Sequence, residues 1–203
     1  MKRNPVGRTG VQVTEIGFGG APLGNLYTAI DEETGHAAVR AAWDGGIRYF
    51  DTAPHYGLGL SERRLGAVLR EKPRADYVIS TKVGRLLVEN LNPTGSDLAS
   101  GGFAVPDDLA RHYDYSRDAV RRSIDASLDR LGLDRVDIVY LHDPDEHMEQ
   151  AVHEGAAALA ELREEGIVGA IGAGMNFVAP LLRFVTETEV DAVMLAGRWT
   201  LAD

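Results

Sequence analysis

Six short, almost wholly apolar runs, separated by stretches with helical periodicity, constrain this chain more than any other feature. They lie at 14–18, 47–50, 77–81, 136–141, 167–171 and 192–195. A strand buried on both faces reads as continuous apolar sequence, whereas a half-exposed strand alternates. Strands of this kind, alternating with helices, predict a parallel sheet joined by right-handed crossovers. Two architectures meet that description: a doubly wound open sheet and the (β/α)8 barrel. The doubly wound fold for dinucleotides carries G-x-G-x-x-G at its first strand-to-helix turn. Gly17-Phe18-Gly19-Gly20-Ala21-Pro22 does not match it and runs into a long loop, so the barrel is the expected fold.

Local signals fill in the frame. Val6 to Val13 reads as a small hairpin around Thr9-Gly10. Asp31-Glu32-Glu33-Thr34 opens a helix with acids in its first turn, which Gly45-Gly46 ends. Ser61 and Ser116 are placed to cap two further helices, the second strongly amphipathic through Val120, Ile124, Leu128 and Leu131. Two more helices are expected through 156–163 and around Leu181, Leu182 and Val185. Periodicity disappears over 84–114, which carries Asn92-Pro93-Thr94-Gly95-Ser96 and Ser100-Gly101-Gly102. A loop that long is unusual in a compact domain and is expected to be either a functional lid or a mobile insertion.

With 203 residues and 44% hydrophobic content, the chain can bury a real core, and its length suits one domain over 1–203. The formal net charge of −10 argues against a nucleic-acid partner, because neutralising phosphates requires a basic patch. No apolar run reaches membrane-span length, and Met1-Lys2-Arg3-Asn4-Pro5 leads into polar residues, so neither a membrane nor an export signal is expected. The absence of cysteine excludes thiolate chemistry and makes a reducing cytoplasm the expected location. No two histidines share a helix face at ligand spacing, so no metal site is expected.

A barrel assembles its active site from the carboxyl ends of its strands. Asp51, Lys82 and His142 stand at three such ends, with Tyr56 just beyond Asp51. The motifs around them resemble those of the aldo-keto reductases: Phe50-Asp51-Thr52-Ala53-Pro54-His55-Tyr56-Gly57, then Ser80-Thr81-Lys82-Val83-Gly84, then Tyr140-Leu141-His142-Asp143-Pro144. Ser123-Ile124-Asp125-Ala126-Ser127-Leu128-Asp129-Arg130-Leu131-Gly132 extends the resemblance, and the N-terminal hairpin is similar to the family's plug at the barrel bottom. The resemblance implies a barrel that binds NAD(P)(H), a small-molecule substrate, and a catalytic tetrad of Asp51, Tyr56, Lys82 and His142. It places Gly20, Ala21, Asp51 and Asn176 at the cofactor, and Tyr56 and His142 at the substrate. His55 is expected either at a substrate hydroxyl or in a solvent-facing loop, and Trp199 either lines the pocket or packs under a loop.

Residue chemistry agrees with the tetrad. A tyrosine has a reference pKa of about 10 and becomes a useful acid or base near neutrality when a cation favours its phenolate. Lys82 is expected to be that cation, Asp51 to hold it charged, and His142 to orient the substrate oxygen. Gly174-Met175 stands where the family commonly has the Ser of a Ser-Asn pair, so Asn176 carries over with a one-residue shift open and the Ser does not, and a common glutamine is absent from Val193-Met194-Leu195-Ala196-Gly197-Arg198-Trp199. These departures look most like the aldose 1-dehydrogenase branch, which oxidises a cyclic hemiacetal to a lactone with NAD(P)+. A cofactor-binding regulatory module on the same fold is the alternative. Since such a barrel runs to about 250 residues, six strands predict a chain continuing past Asp203 into strands seven and eight. Neither oligomeric state nor the choice between NAD and NADP is readable.

Overall fold

The computed structural model describes residues 1–198, so the expectation for Trp199 lies outside the described residues. Strands β1 (Arg3–Pro5) and β2 (Gln12–Thr14) form the expected antiparallel hairpin. Six parallel strands then make one sheet: β3 (Phe18–Gly19), β4 (Tyr49–Asp51), β5 (Val78–Val83), β8 (Ile138–His142), β9 (Ala170–Met175) and β10 (Ala192–Leu195). Between β5 and β8 lies a separate antiparallel ribbon of β6 (Arg85–Glu89) and β7 (Leu109–Tyr113). The helices are α1 (Glu32–Asp44), α2 (Leu60–Leu69), α3 (Arg117–Leu131), a short α4 (Met148–Gln150), α5 (Ala156–Glu164) and α6 (Val178–Glu187). A π-helical turn, Ala151–Gly155, joins α4 to α5.

Strand order decides between the two architectures. In space the sheet runs β10-β9-β8-β5-β4-β3, so each strand pairs with its sequence neighbours in the sheet. A doubly wound sheet reverses its order at a switch point, and this one never does. The six strands curl into a half-barrel. On the outer face Leu65, Leu69, Val120, Ile124 and Leu159 pack into the main core with Phe50, Ile79, Val139 and Ile171. Val6 of the hairpin packs with Val78, Ile138 and Ala170, sealing the amino-terminal end as a plug.

Two caps form where expected. The Asp31 side chain accepts from the Thr34 N–H at 2.7 Å, and Ser116 caps α3 through the Ala119 N–H. Four expectations need correction. The first strand is only Phe18–Gly19, because Thr14 pairs with Arg3 in the hairpin, its hydroxyl donating to the Ile16 carbonyl at 2.8 Å, and Glu15, Ile16 and Gly17 are exposed. Ser61 lies inside α2, behind the left-handed N-cap Gly59, and its hydroxyl donates instead to the Gly20 carbonyl at 2.7 Å. The 84–114 segment begins and ends in the β6–β7 ribbon, which stands outside the sheet, lacks one buried face and so shows no strand-like alternation. The fifth strand, expected at 167–171, starts at Ala170 and continues through Gly172 and Gly174 to Met175, and a Cβ at Gly172 would lie 2.6 Å from the Tyr140 ring inside the barrel. Among the described residues, no helix is long and apolar enough to cross a membrane.

Candidate active site

Side chains alternate across a strand, so Ser80 and Lys82 on β5 face the barrel interior while Thr81 faces the helices. Lys82 Nζ reaches Asp51 Oδ2 at 2.6 Å and the Thr52 carbonyl at 3.0 Å, and Ser80 Oγ donates to Asp51 Oδ1 at 2.6 Å. Asp51 and Lys82 are both buried. Tyr56 hangs over this pair from the loop after β4, with the Lys82 ammonium 4.7 Å from its ring centroid. The loop is held by a backbone contact that only glycines permit: a Cβ at Gly57 (φ 62°) would lie 2.3 Å from the Gly24 carbonyl oxygen. His142 completes the group, its ring 5.8 Å from that of Tyr56 and nearly perpendicular to it. All four expected tetrad residues therefore meet at the carboxyl end of the half-barrel.

The electrostatics differ in one respect from the sequence expectation. Burial pushes the Tyr56 phenol above its ordinary value, and the pull of the Lys82 charge in the other direction does not overcome it. Tyr56 is thus a protonated phenol at neutral pH. Lys82 is raised as well: burial works against its charge, but the Asp51 carboxylate and the Tyr56 phenol reverse the sign. His142 is held well below the ordinary histidine range by burial and by the Arg85 and Lys82 charges, so it is neutral. Its backbone carbonyl is fixed by the Tyr115 hydroxyl at 2.6 Å. On the rim, burial raises the Asp143 carboxyl against the opposing charge of Arg85, which donates to it at 2.7 Å.

A cavity of about 290 Å³ opens over the tetrad, lined by Ala21, His55, Tyr56, Lys82, His142, Gly174 and Asn176 among others. Of the residues expected at the cofactor, Ala21 and Asn176 line this cavity, and Asp51 lies beneath Lys82 outside the lining. Gly20 lies behind it, with its N–H on the Asp51 carbonyl at 2.7 Å and no room for a Cβ. Asn176 is exposed and donates to Asp143 Oδ1 at 3.2 Å. His55 is partly buried in the cavity wall and does not sit in a solvent-facing loop. Sequence reasoning missed Ser80, Tyr115 and the Phe103, Asp97 and Arg111 side chains that back His55. Only a contact map across the 84–114 insertion would have revealed the last three. Among the described residues, no three His, Asp or Glu side chains form a group able to hold a metal ion.

A model of the aldo/keto reductase family matches residues 15–203. The chain is 49% identical over 197 residues to D-threo-aldose 1-dehydrogenase of a Pseudomonas species, covering 96% of this chain and 60% of that protein. It is 40% identical to pyridoxal 4-dehydrogenase of Microbacterium luteolum, covering all of this chain and 64% of the other. L-galactose dehydrogenase of Arabidopsis thaliana is 35% identical, with 93% of this chain and 54% of that one covered. The chain thus spans less than two thirds of each of these relatives. Among solved structures, an aldo-keto reductase of Bacillus halodurans in its holo form superimposes with a TM-score of 0.75 at 25% identity, covering 96% of this chain and 57% of the other.

Proposed function

The chain belongs to the aldo/keto reductase family, and from that premise we propose that it is an oxidoreductase moving a hydride between NAD(P) and a sugar-like hemiacetal or aldehyde. Aldose-to-lactone oxidation is the favoured direction, since the relatives include D-threo-aldose and L-galactose dehydrogenases. The observation that carries the reading is the Asp51–Lys82–Tyr56 arrangement beneath one cavity that His142 also lines.

The cavity suits a nicotinamide. Its wall at Gly174 is bare backbone, close to Lys82, where a ligand can approach without meeting a side chain of that residue. Asn176 brings a side-chain amide, both donor and acceptor, to the same cavity. When bound, the cofactor accepts or donates the hydride. The protein's own residues manage the proton. Neutral His142 donates a hydrogen bond to the reacting oxygen and orients it toward Tyr56. In oxidation, C1 of the hemiacetal loses a hydride, its hydroxyl proton passes to the Tyr56 phenolate, and C1 becomes the lactone carbonyl. In reduction the phenol returns the proton to the new hydroxyl. Lys82, kept charged by Asp51, stabilises the phenolate form through which both directions pass.

The test is NAD(P)H absorbance with a panel of aldoses and aldehydes in both directions. Tyr56→Phe is expected to lower kcat by about 10²–10⁴-fold, the range for general acid–base catalysis, while aldose binding persists. Equal turnover by the Phe variant would falsify the assignment of Tyr56. Absence of turnover on every aldose and aldehyde would remove the activity itself.

A further inference from the structure

The 84–114 insertion returns to the cavity through one arginine. Arg111 Nε donates to His55 Nδ1, and Nη2 donates to the His55 carbonyl at 3.0 Å. The other edge of the same guanidinium grips Asp97 with both Nη atoms at 2.6 Å. Asp97 is 2% exposed and also accepts from Ser100 Oγ at 2.9 Å. Gly101 leaves the space this fork needs: a Cβ there would lie 2.3 Å from Asp97 Oδ2 and 2.4 Å from Arg111 Nη2. Phe103 meets the His55 ring edge-on at 5.2 Å. The wall around the ring is therefore built by the insertion, while His55 itself comes from the loop that carries Tyr56.

The direction of the Arg111 bond fixes the chemistry of His55. A guanidinium can only donate, so Nδ1 must present its lone pair, and the ring proton resides on Nε2. A carboxylate partner would favour a charged histidine and make the ring basic. A cation partner does the reverse. Burial together with Arg85, Arg111 and Lys82 pushes His55 down to about 3. Nδ1 is occupied, so Nε2–H is the remaining polar group of a ring that lines the cavity.

We infer that the Arg111–Asp97 pair is a positioning device that locks His55 in its Nε2–H form and holds it as a fixed, neutral hydrogen-bond donor to a substrate hydroxyl other than the reacting one. The insertion thereby selects polyhydroxy substrates over simple aldehydes. This rests on reading the cavity as the oxidoreductase's substrate site. The tautomer, however, is a property of the protein alone and can be measured without turnover.

The experiment is imidazole 15N NMR on the full chain at neutral pH, with His55 assigned by His55→Gln. His55 is expected to show a protonated Nε2 and an unprotonated, hydrogen-bonded Nδ1. A charged ring, or a proton on Nδ1, overturns the lock. Titration with L-galactose is expected to shift the Nε2–H signal, and a silent signal overturns the donor role even with the tautomer confirmed. Arg111→Met leaves Asp97 unpaired in a buried site, so the companion variant is Arg111→Met with Asp97→Leu, which leaves no unpaired charge. Both are expected to mix the two tautomers. Both are also expected to raise KM for an aldose by about 3–10-fold, the range of one hydrogen bond, with kcat and the KM for a simple aldehyde within about twofold. Arg111→Lys, which keeps a donor but loses the fork, should fall between. Unchanged aldose KM in a folded double variant overturns the proposal. Failure of the oxidoreductase reading looks different: the lock is seen by NMR, yet Tyr56→Phe changes nothing.

Discussion

Two buried ion pairs flank β5 at adjacent residues, and they face opposite ways. On the inner face Lys82 pairs with Asp51 and also reaches the Thr52 carbonyl. On the outer face Thr81 donates to Glu62 Oε1 at 2.7 Å, and Glu62 Oε2 holds Arg130 from α3. Glu62 is wholly buried, more so than Asp51 at 8%. Burial of charge alone therefore does not mark the reactive site. The outer carboxylate staples α2 and α3 to the strand and has both oxygens occupied by protein partners. The inner pair faces a cavity, and above its ammonium stands a phenol whose proton can leave. What separates the two is access and a transferable proton, and substitutions on the two faces should fail in opposite ways.

The largest effect is expected on the inner face. Lys82→Met removes the charge that pulls the Tyr56 phenol down most strongly against burial. Oxidation should fall by about 10²–10⁴-fold in kcat of the folded fraction; the chain also loses stability, because the buried Asp51 carboxylate loses its cation and keeps only its Ser80 bond. Activity within a few-fold of the parent would break the contrast. On the outer face, Glu62→Gln should destabilise by about 3 kcal/mol, the low end of the range for breaking a buried pair, since the Arg130 side chain is 17% exposed and can regain water. Urea midpoints measure this, and kcat of the folded fraction should stay within about threefold.

How much of this was legible follows from where each signal arises. Asp51, Lys82 and His142 could be read because each ends or interrupts an apolar run, and a barrel leaves few uses for an ionisable group there. Glu62 could not be told from a surface glutamate of an amphipathic helix; its burial comes from α3 packing on α2, a contact no local pattern encodes. Gly172 and Gly174 fell outside the apolar run at 167–171 although they lie within β9, because the Tyr140 ring that needs the space at Gly172 is on the neighbouring strand. Arg111 and Asp97 were lost in a segment without period. Their partner His55 is 56 residues from Arg111 in sequence, and only the folded ribbon joins them.

Acid sharpens the comparison at intermediate size. His55 is pushed down to about 3 and His142 well below the ordinary range, whereas an unfolded histidine takes its proton near 6.5. Between those values the unfolded chain binds protons the folded chain refuses. Stability from these two residues is thus complete above about pH 6.5 and declines as pH falls below it, for His55 down to about 3, at up to about 1.4 kcal/mol per pH unit for each. His55→Gln should flatten the loss between pH 6.5 and 5 by about one proton, read from urea midpoints along that range. A variant with the parent's slope would show that His55 is not held neutral. Oxidation by the parent should also rise with pH above neutrality, because the raised phenol of Tyr56 must first lose its proton to act as base.

The smallest effect asks whether the two faces are separable at all. Tyr115 is fully buried in the helix-side core, yet its hydroxyl donates to the backbone carbonyl of His142, whose side chain lines the cavity. Tyr115→Phe keeps the ring and removes one neutral hydrogen bond, so stability should fall by about 1 kcal/mol. If the sheet isolates its faces, kcat should stay within about threefold, because β8 still pairs with β5 and β9 and fixes His142 through the strand. A larger fall in kcat with the same small loss of stability would mean that the outer layer sets the position of His142. The helix side would then belong to the active site rather than only supporting it.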